Sequence, residues 1–412
     1  MMKTMTTNRI FSTMALCLAG TFMPAMADDV TVTVTNESTE QRQQLVEVDA
    51  SAVISRLGIK QGEPFVVMNA LGQQVAYQLT YDGKLLIDAS VRPKGTAEFT
   101  CTKGTPKKMN TVVCGRQYPE RVDDIAWEND RTAYRVYGPA LQRNGERAFG
   151  VDVWVKNTPD LEVEKRYATE LGNHAKIEEL KKAGKHEEAH EMEMTTTYHY
   201  DHGYGLDCYK VGPTLGCGAP ALLDDKGEMM LPYCYKTYKI LDNGPLRFTV
   251  QLDYNPFSVG NDKQVVEHRI ISLDKGSNFN SMTVWYEGLT TPRDMVAGVV
   301  IHSEDTKSIA LGDNYVLYAD PTDNPTKQNF QIYTGALFPN GVKATRNMMY
   351  DNPTNGNAGH TVGVITYQPG EKYTYLFGSA WSKNDVRSFN EWKLRATETL
   401  ESIYKPLKVE LK

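Results

Sequence analysis

YCYKTYKILDNGPLRFTVQLDY, residues 233–254, decides the fold. Two runs rich in β-branched and aromatic residues, 233–241 and 246–254, flank Asp242-Asn243-Gly244-Pro245. A turn tetrad between two such runs predicts an antiparallel hairpin. The pattern repeats at once, with 265–273 and 280–286 flanking Asp274-Lys275-Gly276-Ser277. Toward the C-terminus, strands are predicted at 296–302, 308–311, 315–318, 330–336, 362–367 and 373–381. No βα alternation interrupts them, so the expected architecture is a large antiparallel sandwich. A helical pattern is predicted at 388–403, with Phe389, Trp392, Ala396, Leu400 and Ile403 on one side, followed by a last strand at 407–411.

Toward the N-terminus the same period of two places Val30, Val32 and Val34 on one face of a strand at 29–35. Strands at 65–68 and 75–79 are separated by a turn at 69–72, and Asp82-Gly83 closes a hairpin onto 85–87. With 99–113, these define a small β-sandwich-like region at 28–115, ahead of a larger β domain at 116–412. The middle of the chain holds one helical segment, 171–194, where Glu and Lys recur three to four apart and Gly184 breaks the run into two helices. It contains His186-Glu187-Glu188-Ala189-His190, which matches the HExxH zinc-protease pattern. That helix would need an apolar face, and Lys181, Lys182, Lys185, Glu187, Glu188, Glu191 and Glu193 leave nothing to bury. A solvated helical insertion is the expectation.

The net charge of −6 offers nucleic acid no electrostatic attraction. Lys3 and Arg9, an apolar run at 10–22 and Ala25-Met26-Ala27 read as a signal peptide cleaved after residue 27, so a periplasmic or secreted protein is expected. The apolar run falls short of the about 18 residues of a membrane-spanning helix, and none later reaches it. Cleavage would remove Cys17 and leave five of the six cysteines, an odd number. Cys101 with Cys114, and Cys208 with Cys217, are possible bridges. Burial of all five as small apolar side chains is the alternative.

Two segments stand apart in composition. At 116–131, Arg116, Arg121, Asn129 and Arg131 crowd around Trp127 with several carboxylates. At 198–220, YHYDHGYGLDCYKVGPTLGCGAP gathers two histidines, two aspartates, four tyrosines, two cysteines and five glycines in one window, which reads as a glycine-flexible loop forming the floor of a site. RQYPERVDDIAWENDR at 116–131, YRVYGPAL at 134–141, GVDVWVK at 150–156, YHYDHGYGLDCYKVGP at 198–213 and ISLDKGS at 271–277 resemble the family of unknown function numbered 4861. The resemblance covers most of the chain after the leader. It implies a galactose-mutarotase-like β-supersandwich, with the helical segment as an insertion, and an association with bacterial breakdown of pectin-type uronate glycans.

The residues suit that association. Cleaving a uronate polymer by β-elimination needs cations or donors on the sugar carboxylate, a base for the adjacent C–H and an acid for the leaving oxygen. Arg116, Arg121, Asn129 and Arg131 supply the first, and His199, Tyr200, His202 and Tyr204 the base and acid. Asp207 and Trp381 complete the expected contacts with an oligosaccharide or polysaccharide, Trp381 as a sugar platform. A sugar epimerase or mutarotase would pair the same histidines with Asp201 or Asp207, and a non-catalytic glycan-binding protein would need only the aromatic and polar surface. A divalent metal held by His199, His202 and Asp207 is a further use of these side chains. No GxSxG elbow supports ester hydrolysis.

Overall fold

The structure is a computed structural model and describes residues 29–303, 305–321, 329–354 and 356–412. The expected leader, with Cys17, lies outside the described residues. The chain is mainly β, built from antiparallel sheets with few helices. The hairpin at 233–254 forms with strands Tyr235–Asn243 and Arg247–Tyr254, in a register that sets Tyr238 opposite Leu252 and Asn243 opposite Phe248. Arg247–Tyr254 pairs next with Asp262–Asp274, then come Phe279–Glu287, Tyr373–Trp381, Ile332–Leu337, Tyr315–Asp320 and Ile309–Leu311. A second sheet, ordered Met229–Met230, Cys217–Leu223, Arg293–Ile301, Asn357–Tyr367 and Ala344–Thr354, packs against this one. Period-two alternation sends Ile271, Leu273, Met282 and Val284 from one sheet, and Val296, Val362 and Val364 from the other, into one dry core.

The N-terminal strands form their own sandwich. One sheet is Lys408–Leu411, Val30–Thr35, Thr96–Lys103 and Phe65–Asn69, and the other is Arg42–Asp49, Lys84–Val91 and Tyr77–Leu79. Val32, Val34, Val46, Leu85, Ile87 and Phe99 fill it, and Leu407 joins them from the far end of the chain. The last strand therefore completes the first sheet, with Val34 opposite Val409. The helix Phe389–Tyr404 leads into it. Ser388 caps its first turn by accepting from the Glu391 amide at 3.2 Å. Trp392, Ala396 and Leu400, spaced four apart, are buried, and Trp392 stacks on Phe279 at 4.8 Å. Ile403 departs from the expected apolar side and is exposed.

The helical segment is longer than expected, Val163–Lys182 and His186–Thr196, with the break at Gly184 in the left-handed region at φ +73°. Its added first turns are not solvated, since Val163, Arg166 and Tyr167 are buried. The HEEAH residues lie in the second helix, where Ala189 is the buried member. Neither expected bridge forms, because Cys101, Cys114 and Cys217 are thiols. Burial, the first cause, pushes Cys101 up to about 12 and Cys114 up to about 11, so neither is a nucleophile at neutral pH.

Candidate functional site

A third sheet carries the chemistry. Its strands run in the order Gly205–Asp207, Asp152–Lys156, Thr132–Val136, Asp124–Glu128 and Cys114–Tyr118. Alternate residues point to opposite faces. One set, Ile125, Trp127, Tyr134, Val136, Val153, Val155 and Leu206, joins the main core. The other set carries Asp124, Glu128, Arg135, Asp152, Lys156 and Asp207, which in an open sheet would face water. Here all six are buried. The helix Val163–Lys182 and the residues that follow cover them, through a layer of Tyr118, Trp154, Val163, Tyr167 and Tyr198.

Buried charges need partners, and these have them. Glu128 accepts from the Val163 amide at 2.7 Å and the Glu162 amide at 3.0 Å, so a strand residue caps the covering helix; Lys156 closes the pair at 2.5 Å. Arg135 sits among three carboxylates: Asp152 at 2.5 Å, Asp207 at 3.0 Å and Asp124 at 3.6 Å. Register places Asp152 directly opposite Arg135 and Asp207 opposite Trp154. One guanidinium cannot neutralise three carboxylates. Desolvation first, and then the neighbouring Asp207, push Asp152 up to about 7.

His199 stands where this network meets the surface. Its Nδ1 lies 3.0 Å from the Asp207 carbonyl and 3.8 Å from the Asp207 carboxylate, and its side chain is 55% exposed. Donation from Nδ1 to the carbonyl leaves the Nε2 lone pair directed away from Asp207. The neighbouring Tyr198 ring stacks on Trp154 at 4.5 Å, and its hydroxyl accepts from Arg121 Nε at 3.2 Å. Arg121 has no ion-pair partner among the described residues. Tyr198 and Asp207 thus gather Arg121 and His199 into one neighbourhood. Tyr200 is exposed on the same loop, and the Tyr204 ring carries the Lys165 ammonium at 4.8 Å.

The loop itself is built, not loose. Asp201 accepts from the Gly203 amide at 2.9 Å and the Gly205 amide at 3.0 Å and pairs with Lys383. Gly205 has φ +111°, and a Cβ there would lie 2.0 Å from the Val155 carbonyl oxygen. The remainder of the 198–220 stretch is fastened by two histidines. His302 holds Asp320 at 2.6 Å through Nδ1 and the Lys210 carbonyl at 2.8 Å through Nε2. Both nitrogens can donate only as imidazolium; burial opposes that charge, and Asp320 outweighs burial to raise the pKa. His360 does the reverse: its Nε2 accepts from the Leu215 amide at 3.1 Å, and burial lowers its pKa to about 3.

Several expected contacts are not brought to this place. Asn129 is fully buried and donates to the Asp274 and Ser277 carbonyls at 2.6 and 2.7 Å, so it anchors a turn instead of meeting a sugar. Trp381 is 2% exposed and donates to the Asn329 carbonyl, so it is a core residue and no platform. Arg116 is consumed by Glu164 at 2.7 Å and Glu120 at 2.6 Å, and Arg131 by Asp385. His202 spends Nε2 on the Thr197 carbonyl at 2.8 Å. Asp207 belongs to the Arg135 network, so His199, His202 and Asp207 do not form a metal donor set, and no such set occurs among the described residues. Arg135 and Asp152 were missed as site residues. Their period-two placement was readable, but their burial depends on a cover that strand patterning does not reveal.

A family model described as a domain of unknown function (DUF4861) matches residues 34–409. An uncharacterized protein P7 of Formosa agariphila is 26% identical over 342 residues, which is 79% of this chain and 78% of that protein. An alpha-mannosidase from Enterococcus faecalis V583 aligns with 93% of this chain and 46% of its own at a TM-score of 0.46 and 10% identity. A glycosyl hydrolase family 38 protein from Enterococcus faecalis aligns with 93% of this chain and 47% of its own at a TM-score of 0.47 and 8% identity. The chain spans less than half the length of these two solved structures.

Proposed function

The chain belongs to the DUF4861 family, and from that premise we propose an exported carbohydrate-processing protein, a lyase that cleaves uronate-containing, pectin-type oligosaccharides by β-elimination. One observation carries the reading: Tyr198, whose ring lies 4.6 Å from that of His199, accepts from Arg121, the one of the three expected arginines that makes no salt bridge among the described residues, while Asp207 holds His199 through Nδ1. Arg121 pairs with the sugar carboxylate and acidifies the C5 hydrogen. His199 Nε2 takes that proton, the electron pair forms the C4–C5 double bond as the C4–O bond breaks, and a phenol of Tyr200 or Tyr204 protonates the leaving oxygen.

The test is incubation with pectin, alginate and glycosaminoglycan panels, following the ultraviolet absorbance of the unsaturated product. Turnover should fall by about 100-fold or more in His199→Ala. Absence of the product across all panels would sink the lyase reading. Material recovered from the periplasm or medium should begin at Asp28 by intact mass; retention of the leader would refute export.

A second reading, glycan binding without chemistry, is favoured by the pairing of Arg116 and Arg131 with protein carboxylates, which leaves a single cation for the sugar acid. Affinity unchanged in His199→Ala with no product from the parent protein would select it. The epimerase reading loses its carboxylate, since Asp201 is committed to Lys383 and two amides and Asp207 to Arg135.

A further inference from the structure

A cavity of about 470 Å³ opens between the segment 230–234, which leads into the Tyr235–Asn243 strand, and the turn 255–258. Its residues are distinct from those of the His199 site. Leu231, Pro232, Pro256 and Phe257 make an apolar lining, and Tyr233, 46% exposed, stands at the rim. The volume lies in the range of small-molecule sites, about 300–1,000 Å³. Three polar side chains of the lining are without a partner among the described residues, and a cation stands beside the rim. The side chains of Gln142, Asn255 and Ser258 line the cavity and make no hydrogen bond among the described residues. The exposed Arg147 guanidinium lies 5.8 Å from the Tyr233 ring centre and 5.7 Å from that of Phe149, with no carboxylate partner among the described residues. Phe149 braces Tyr233 at 4.7 Å.

We propose that this cavity is a second binding site, taking one acidic sugar ring of a glycan with its apolar face on Tyr233, its hydroxyls toward Gln142, Asn255 and Ser258, and its carboxylate on Arg147. Ring C–H groups are slightly positive and pack on the negative face of an aromatic ring, while a guanidinium already beside that ring supplies the charge for the acid. A purely apolar ligand would leave three amide and hydroxyl groups without partners, and polar groups cut off from water demand them. Cys234, which also lines the cavity, is no nucleophile at neutral pH, its thiol pushed up to about 12 by burial first and then by Asp124.

The experiment is calorimetric titration of the full mature chain with a short uronate oligomer, its methyl ester and benzoate. The parent should bind the uronate oligomer with saturation. Tyr233→Ala should weaken it about ten-fold, and Arg147→Gln should weaken the acid while leaving the methyl ester unchanged. Arg147 is exposed, so its variant keeps the test open even if Tyr233→Ala fails to fold. Binding that persists undiminished in both variants, benzoate binding as tightly as the sugar acid, or no binding by the parent would overturn the proposal. Repeating the titrations in a His199→Ala, Arg121→Gln background, which lacks the base and the cation of the other site, separates the two readings: saturable binding should persist there and still depend on Arg147, and its loss would place the uronate at the His199 site and overturn the proposal.

Discussion

Two histidines near the 198–220 stretch act in opposite charge states, and the signs can be worked out. His302 has its pKa raised by Asp320, so the stability it contributes is fully present below about 6.5 and is lost as pH rises through the folded value. His360 must be neutral to accept from the Leu215 amide, with its pKa lowered to about 3, so its contribution is present above about 6.5 and is lost as pH falls toward 3. Between those limits the acid limb should cost about 1.4 kcal/mol per pH unit for this one group. His360→Gln keeps an acceptor without the titration. Urea unfolding at a series of pH values should show a shallower acid limb in that variant; an unchanged slope would show that other groups control it.

At the scale of elements, the loop that presents His199 owes its shape to two glycines of different kinds. Gly203 has φ +100° with nothing within 4 Å of an added Cβ, whereas Gly205 combines φ +111° with backbone contact to Val155. Gly205→Ala should therefore destabilise by more than about 1 kcal/mol, and by more than Gly203→Ala, in chemical unfolding. Equal losses would mean that backbone strain alone matters. How far the site could be read from sequence follows from the same elements. Hairpins at 233–254 and 265–286 were legible because turn chemistry and strand alternation are local properties. His199 and Arg121 were legible as unusual residues, yet Asn129 and Trp381 looked identical in kind and proved to be a turn anchor and a core residue. The strand Arg42–Asp49 and the short helix Ala50–Arg56 went unread, the strand because the consecutive polar residues Arg42, Gln43 and Gln44 mask its alternation. What no local pattern conveys is cover: Asp124, Arg135, Asp152 and Asp207 sit on what reads as a solvent face until the helix Val163–Lys182 is laid over it.

At the scale of the molecule, two cores are joined by a chain that leaves the first sandwich and comes back to it. Leu407 is 5% exposed in the N-terminal core although it lies beyond the whole larger domain in sequence. Leu407→Ala should cost about 2–5 kcal/mol, and the loss should appear in the unfolding of the N-terminal sandwich. If the two cores unfold together, the single transition should shift instead; no change in either would mean that Leu407 contributes no packing there.

The return of Lys408–Leu411 to the strand Val30–Thr35 also sets an order of events during synthesis. The first sheet to leave the ribosome lacks an edge strand until residues 408–411 are made, so its Val30–Thr35 backbone stays open to pairing with other chains until then. A truncated product, or one stalled before residue 408, would carry that open edge permanently. Synthesis of residues 408–411 and protection of that edge from aggregation are, in this architecture, the same event.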